Sequence, residues 1–400
     1  MNATEDAIRD ALRADADTVR AESVSGLPDP GTRPAGRIPQ VRRPAGRVLM
    51  PLAAAAAVTA IAVTASVLVP EAGRQAAPQA GGQAMLPAAG RVLAGPGTAV
   101  RPPRFFVGIN GENAKVYNAR TGKILARIAS PDGTSIQAAA ATGSDRRYVI
   151  AAVSRVACQT FLYQATLTAQ GQVASMTALS VPKIAGRIGF PGALYASTSG
   201  QVLAYTASTC GATGQAGGQL PVGKGDHGWI GVVDLATQTV RTWPVQGLKL
   251  NALALSPNGR TLAFTYGGPE SSLRVLPADA PSGPAAQRSR AAGRIPTGQF
   301  SIGFSPSGTA IIAYVALGHG RTALAAYDIA TGRPIGSVHT WRNYAEGPQG
   351  GFSVAPSGRY LLAYDFSRRI AMRIDLVSRR IAWVPTTDPN FGDFPHSIAY

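Results

Sequence analysis

The chain has 400 residues and a formal charge of +17, with 15% charged and 7% aromatic residues, 46 Gly, 30 Pro and 2 Cys. So much Gly and Pro with so few charges is the composition of many short strands joined by turns, and it argues against a helical bundle. Two cysteines without metal-ligand spacing exclude a disulfide-dense scaffold and a cysteine metal site.

The charge is unevenly spread. Residues 1–30 hold three Arg against seven Asp/Glu, and residues 31–47 hold five Arg and no acid. In this first segment Asn2-Ala3-Thr4-Glu5 resembles a capping box, and Ile8, Leu12 and Val19 fall along one stripe. The stripe is thin, so partial disorder is the default expectation, and the sharper alternative is a short acidic-faced helix over about 3–22 that docks on a cytoplasmic partner. Pro, Gly and Arg over 23–47 then read as an unstructured linker.

Residues 48–69 are 22 residues without a charge. At 1.5 Å per residue they span ~33 Å as a helix, enough for a bilayer core of about 30 Å. Arg33, Arg37, Arg42, Arg43 and Arg47 precede the stretch, whereas Glu71 and Arg74 follow it. The positive-inside rule therefore predicts one transmembrane helix with residues 1–47 as a cytoplasmic tail. A cleaved signal peptide is the rival reading, but the preceding tail and the apolar stretch are both long for one. The flanking Arg cluster argues against a buried soluble helix. Residues 70–103, rich in Ala, Pro, Gly and Gln, read as a stalk.

From residue 104 onward a phrase recurs: Ser256-Pro257-Asn258-Gly259, Ser305-Pro306-Ser307-Gly308 and Ala355-Pro356-Ser357-Gly358, each followed by an apolar strand. Ser256 to Ser305 is 49 residues and Ser305 to Ala355 is 50. A second phrase, centred on Asn118, Asp234, Asp328 and Asp375, turns on an Asx residue and restarts a strand. Asp328 to Asp375 is 47 residues, and Asp234 to Asp328 is twice that, 94. Weaker copies of the first phrase stand at 143–151 and 197–205. Together they predict a four-stranded meander per repeat, the unit of a β-propeller.

The two ends complete each other. Residues 104–128 read as three strands that lack a first one, and His396-Ser397-Ile398-Ala399-Tyr400 reads as a first strand with nothing after it. Pairing them closes the ring and removes the exposed edges. The resulting expectation is an all-β, six-bladed propeller over 104–400, with blades at 104–128 plus 396–400, then about 135–180, 188–245, 250–296, 299–341 and 350–386.

These two phrases resemble the WD40-like, TolB-type propeller repeats. The layout of acidic tail, Arg run, Ala-rich span, stalk and degenerate repeats is similar to membrane-anchored propeller proteins of actinobacteria. Some single-span actinobacterial proteins with comparable tails are anti-sigma factors, but the His-x-x-x-Cys-x-x-Cys motif that many of them carry is missing here.

Candidate chemistry is sparse. Cys158 and Cys210 each follow the second strand of adjacent blades, so they are placed to form a disulfide in an oxidising exterior. Asp226 and His227, in the polar loop Gly223–Trp229, and His319, in Leu317-Gly318-His319-Gly320-Arg321, are candidates for a ligand-binding face. Asp234, Asp328 and Asp375 read as turn residues. No phosphate loop, nucleophile elbow or zinc motif appears, so no catalytic residue, metal or cofactor is assigned. The 30 basic and 14 acidic residues beyond the apolar span predict attraction to anionic surfaces.

The expected function is binding, not catalysis. A single-pass membrane protein would present the propeller outside the cell to a protein, a wall polymer or an anionic lipid surface, with no nucleic-acid partner. The alternatives are a transmembrane, anti-sigma-like regulator whose tail binds a cytoplasmic factor, and a propeller enzyme such as a lactonase or lyase.

Overall fold

The computed structural model describes residues 101–400 apart from 111–112, 155, 190–193, 211–227, 246–249, 268–270, 297–300, 344–345, 349–350, 366–367, 369 and 387–394. The expected tail helix, the span at 48–69 and nearly all of the stalk lie outside the described residues. Among the described residues no helix is long and apolar enough to cross a membrane.

The strands fall into six antiparallel sheets, one per blade. Blade 1 contains β1 (Phe105–Asn110), β2 (Asn113–Asn118) and β3 (Ile124–Ile128). Blade 2 contains β4 (Thr134–Thr142), β5 (Ser144–Ser154), β6 (Gln159–Leu167) and β7 (Val173–Ala178), with the two-residue β8 (Ile184–Ala185) on β6. Blade 3 contains β9 (Arg187–Ile188), β10 (Leu194–Ala196), β11 (Val202–Ser208), β12 (Gly228–Asp234) and β13 (Thr239–Pro244). Blade 4 contains β14 (Leu250–Leu255), β15 (Thr261–Tyr266), β16 (Ser271–Pro277) and β17 (Arg290–Ile295). Blade 5 runs β18 (Ile302–Phe304), β19 (Ala310–Gly318), β20 (Arg321–Asp328) and β21 (Pro334–Trp341). Blade 6 runs β22 (Phe352–Val354), β23 (Tyr360–Asp365), β24 (Ile370–Asp375) and β25 (Ile381–Pro385).

The last strand, β26 (Pro395–Ala399), returns to blade 1 and pairs with β1 in the register Val107↔Ala399 and Gly108↔Ile398. The ring is thus a six-bladed propeller closed by its own terminal strands, at the boundaries that the repeat spacing predicts. One element departs from the all-strand expectation. A single helical turn, α1 (Ala285–Arg288), interrupts the third connection of blade 4. The Ser289 hydroxyl donates to the Ala285 carbonyl at 2.5 Å, and the Arg274 guanidinium donates to the Ala286 carbonyl at 2.7 Å. These contacts hold the turn against strand β16.

Each sheet is buried on both faces, so its second strand reads as a continuous apolar run and not as an alternation. In β5, Tyr148, Ile150 and Ala152 face blade 1, while Val149 and Ala151 face blade 3. In β23, Leu361 and Ala363 face blade 5, while Leu362 and Tyr364 face blade 1. The core is therefore a circle of seams between neighbouring blades.

The recurrent phrases are turns with a shared chemistry. In the connection from first to second strand, the Ser256 hydroxyl accepts the Thr261 N–H at 2.9 Å, and the Gly259 N–H donates to the Ser256 carbonyl at 2.8 Å. The glycine here adopts φ +73°, and its counterpart Gly358 adopts φ +70°. L side chains avoid this left-handed region. In the connection from third to fourth strand, one side-chain oxygen accepts two N–H groups. Asn118 binds Arg120 and Thr121, Asp234 binds Ala236 and Thr237, Asp328 binds Ala330 and Thr331, and Asp375 binds Val377 and Ser378. The aspartates are thus turn acceptors and not a carboxylate cluster.

The Thr331 hydroxyl beside Asp328 holds that carboxyl below its ordinary range, with the turn N–H groups adding to the effect. Burial pushes the Asp375 carboxyl up, but the Arg359 guanidinium and the turn N–H groups outweigh it and leave the pKa lowered. Both carboxylates therefore stabilise the fold above their unfolded pKa of about 4, and that contribution is lost as pH falls through the lower folded values. The melting temperature is expected to decline as pH falls below about 4, and Thr331→Ala should flatten that decline; an unchanged profile would refute it. A second expectation concerns glycine. A Cβ on Gly358 would lie 2.6 Å from Pro306 Cα, whereas one on Gly133, at the same φ of +70°, meets nothing within 4 Å. Gly133→Ala should cost about 1 kcal/mol and Gly358→Ala at least ~2 kcal/mol in urea denaturation.

Candidate functional site

A propeller offers three places for a ligand: the axial channel and its two faces. The channel here is lined by the innermost strands of all six blades, including Ala139, Tyr195, Leu255, Phe304, Val354 and Tyr400. The cavity that these residues line has about 30 Å³ of free space, room for roughly a water or two. One end is sealed. The Thr198 hydroxyl of blade 3 donates to the Pro356 carbonyl of blade 6 at 2.5 Å, and the Thr198 N–H donates to the Pro257 carbonyl of blade 4 at 2.8 Å. Blades 3 and 6 stand opposite one another in a ring of six, so this contact crosses the axis. The turn phrases Ser197-Thr198-Ser199-Gly200 and Ala355-Pro356-Ser357-Gly358 form that plug.

The other face carries the connections between second and third strands. Here Cys158 of blade 2 is joined to Cys210 of blade 3, with Cα atoms 5.9 Å apart. The Cys210 N–H donates to Cys158 Sγ at 3.1 Å, and the Cys158 carbonyl accepts the Gly186 N–H at 2.8 Å. Beside the bridge, Val156 is 96% exposed.

Arg187 lies close to this bridge. Strand β9 pairs with the end of β11, Arg187 opposite Ser208, and packs against β4. Its Nε donates to Gln137 Oε1 at 2.8 Å, and Gln137 Nε2 in turn reaches Ser135 Oγ at 2.9 Å. Burial lowers the pKa of the half-buried guanidinium. Nothing in the sequence marks this residue except its isolation between Ile184 and Ile188 in a connecting segment. The pairing with Gln137, 50 residues away, exists only in the fold.

Of the sequence candidates, Asp226 and His227 lie outside the described residues. His319 is exposed at the tip of the β19–β20 hairpin, with φ +50° between two glycines of positive φ. It sits two blades from the disulfide, so the two are not one site. His339 stands edge-on to Trp341 with ring centroids 4.7 Å apart, and burial lowers its pKa. Among the described residues no group of three or more His, Cys, Asp or Glu is placed to hold a metal ion.

Neither a family model nor a curated protein matches the sequence. Among solved structures, a chain of a nidogen/laminin complex is similar with a TM-score of 0.46 and 13% identity, over 74% of this chain and 97% of that one. TolB from Acinetobacter baumannii is similar with a TM-score of 0.45 and 14% identity, over 76% of this chain and 67% of that one. The strand order of this chain is that of a six-bladed β-propeller closed by terminal strands.

The disulfide closes a sequence separation of 52 residues. Cys158→Ala with Cys210→Ala is expected to lower unfolding free energy by about 2–4 kcal/mol. Guanidinium denaturation with and without reductant checks this. Reductant should destabilise the parent and leave the double variant unchanged.

Proposed function

We propose that this protein is a single-pass membrane protein that presents its propeller outside the cytoplasm as a binding module for a protein or a wall polymer, without catalysis. The carrying observation is the axis. The described axial cavity, about 30 Å³ and crossed by the Thr198–Pro356 contact, is too small for such a ligand, so we place recognition on the faces. The 22-residue uncharged stretch and the five arginines before it support the anchor and its orientation. An inter-blade disulfide accords with an oxidising exterior.

The test is photo-crosslinking in intact cells, comparing the full chain with one lacking residues 1–30. Exported proteins or wall material captured by both forms is the expected result. A cytoplasmic factor that disappears with the tail would replace this reading with that of a transmembrane regulator. Protease accessibility of the propeller in spheroplasts checks the topology independently, and protection would overturn the external placement.

A further inference from the structure

All the described connections sort to two ends of the propeller. At one end lie the first-to-second and third-to-fourth connections, and at the other lie the second-to-third and inter-blade connections. Outside strands, the first set holds eight basic residues and one acidic residue, Asp279. Among the described residues outside strands, the second set holds three basic residues, Lys183, Arg342 and Arg368, and two acidic ones, Asp132 and Glu346. Adding the charged strand ends that border the first set, Asp145, Arg146, Arg147, Asp234, Arg290, Asp328 and Asp375, changes its balance only to eleven against five.

Four of the five carboxylates on this end are occupied by local contacts. Asp234, Asp328 and Asp375 direct an oxygen into the turn N–H groups. Asp145 pairs with Arg104 at 2.9 Å and Asp375 with Arg359 at 3.1 Å. The cations point elsewhere. Arg120, Lys123, Arg260, Arg333 and Arg380 are exposed and have no carboxylate partner among the described residues. They recur because the turn phrase repeats: Lys123 and Arg333 each follow the glycine of the third connection, and Arg260 follows the glycine of the first. Blade repetition turns a sequence period into an arc of positive charge over the adjacent blades 4, 5, 6 and 1.

We infer that this turn face docks a linear polyanion whose repeat carries a phosphate. The inference deepens the proposed function and rests on it, naming the polymer class and the face. Seven of the eight basic residues are arginines, whose planar fork grips phosphate oxygens in pairs. Sites on blades 1, 4, 5 and 6 suit a chain that meets several cations at once, because each neutralised phosphate releases counterions. A bilayer fits less well. Of the large apolar side chains exposed among the described residues, only Val377, at 37%, belongs to this face, so there is no apolar anchor.

The test uses the full chain in nanodiscs of neutral lipid and long-chain inorganic polyphosphate as the probe, with affinity measured over a salt series. The turn-face variant carries Arg120→Ser, Lys123→Ser, Arg333→Ser and Arg380→Ser. A control removes the same charge elsewhere, through Arg127→Ser, Lys183→Ser, Arg321→Ser and Arg342→Ser. The expected result is a loss of at least ~10-fold and a shallower salt slope for the first variant, with under ~3-fold change for the control. Equal losses in both would mean attraction by net charge alone and would overturn the assignment of the face. Undetectable polyphosphate binding by the parent, or tighter binding to anionic vesicles than to polyphosphate, would overturn the polymer. Melting curves of both variants guard against misfolding, and a variant that unfolds is replaced by charge-neutral Gln substitutions at the same positions. Protein partners captured in cells, together with absent polyphosphate binding, would sink this inference and leave the binding-module reading standing.

Discussion

The ring stands on the seam between the last blade and the first. Every sheet buries both faces, so an unclosed ring would expose an apolar surface on each side of the gap. The seam is filled by Phe106 and Tyr117 from blade 1, by Tyr360, Leu362 and Tyr364 from blade 6, and by Ile398 and Tyr400 from the chain end. Strand β26 adds backbone pairing to β1, so blade 1 is built from both termini. The other seams inherit their geometry from this one, since six blades share a full circle only if all of them close.

Closure sets what the axis can do. Six inner strands drawn into a tight circle leave little free volume, and the turns at one end are forced together. Those turns can meet because they carry glycine where they touch. A Cβ on Gly259 would press on Val202 and Ser197, and one on Gly358 would press on Pro306. The same crowding brings Thr198 within hydrogen-bonding distance of Pro356 across the axis. Recognition is thereby displaced from the channel to the faces, and the two faces differ in charge and in construction. One is made of short repeated turns rich in arginine; the other carries longer connections, the disulfide and Arg187.

Much of this was legible in the chain. Ser256-Pro257-Asn258-Gly259 and its copies identify a turn, because a serine acceptor and a glycine at positive φ are local requirements. Asp234, Asp328 and Asp375 were readable as turn acceptors for the same reason. The blade count followed from the spacing, and the role of 396–400 followed from a missing first strand at the front. The helical turn at 285–288 was not legible. It is short and carries no apolar period, and it is held by Arg274 and Ser289. Arg187 was equally silent, since a lone arginine in a connecting segment has no pattern to betray it.

The repeat, the turn chemistry, the six blades and the closure by terminal strands are written in the order of residues, because each depends on residues near one another in the chain or on a fixed period. The fold alone set which turns meet across the axis, how little space remains between them, and that Gln137 holds Arg187. Those contacts depend on how far six twisted sheets curve before they close. That curvature is a sum over all the seams, and no local stretch of sequence contains it.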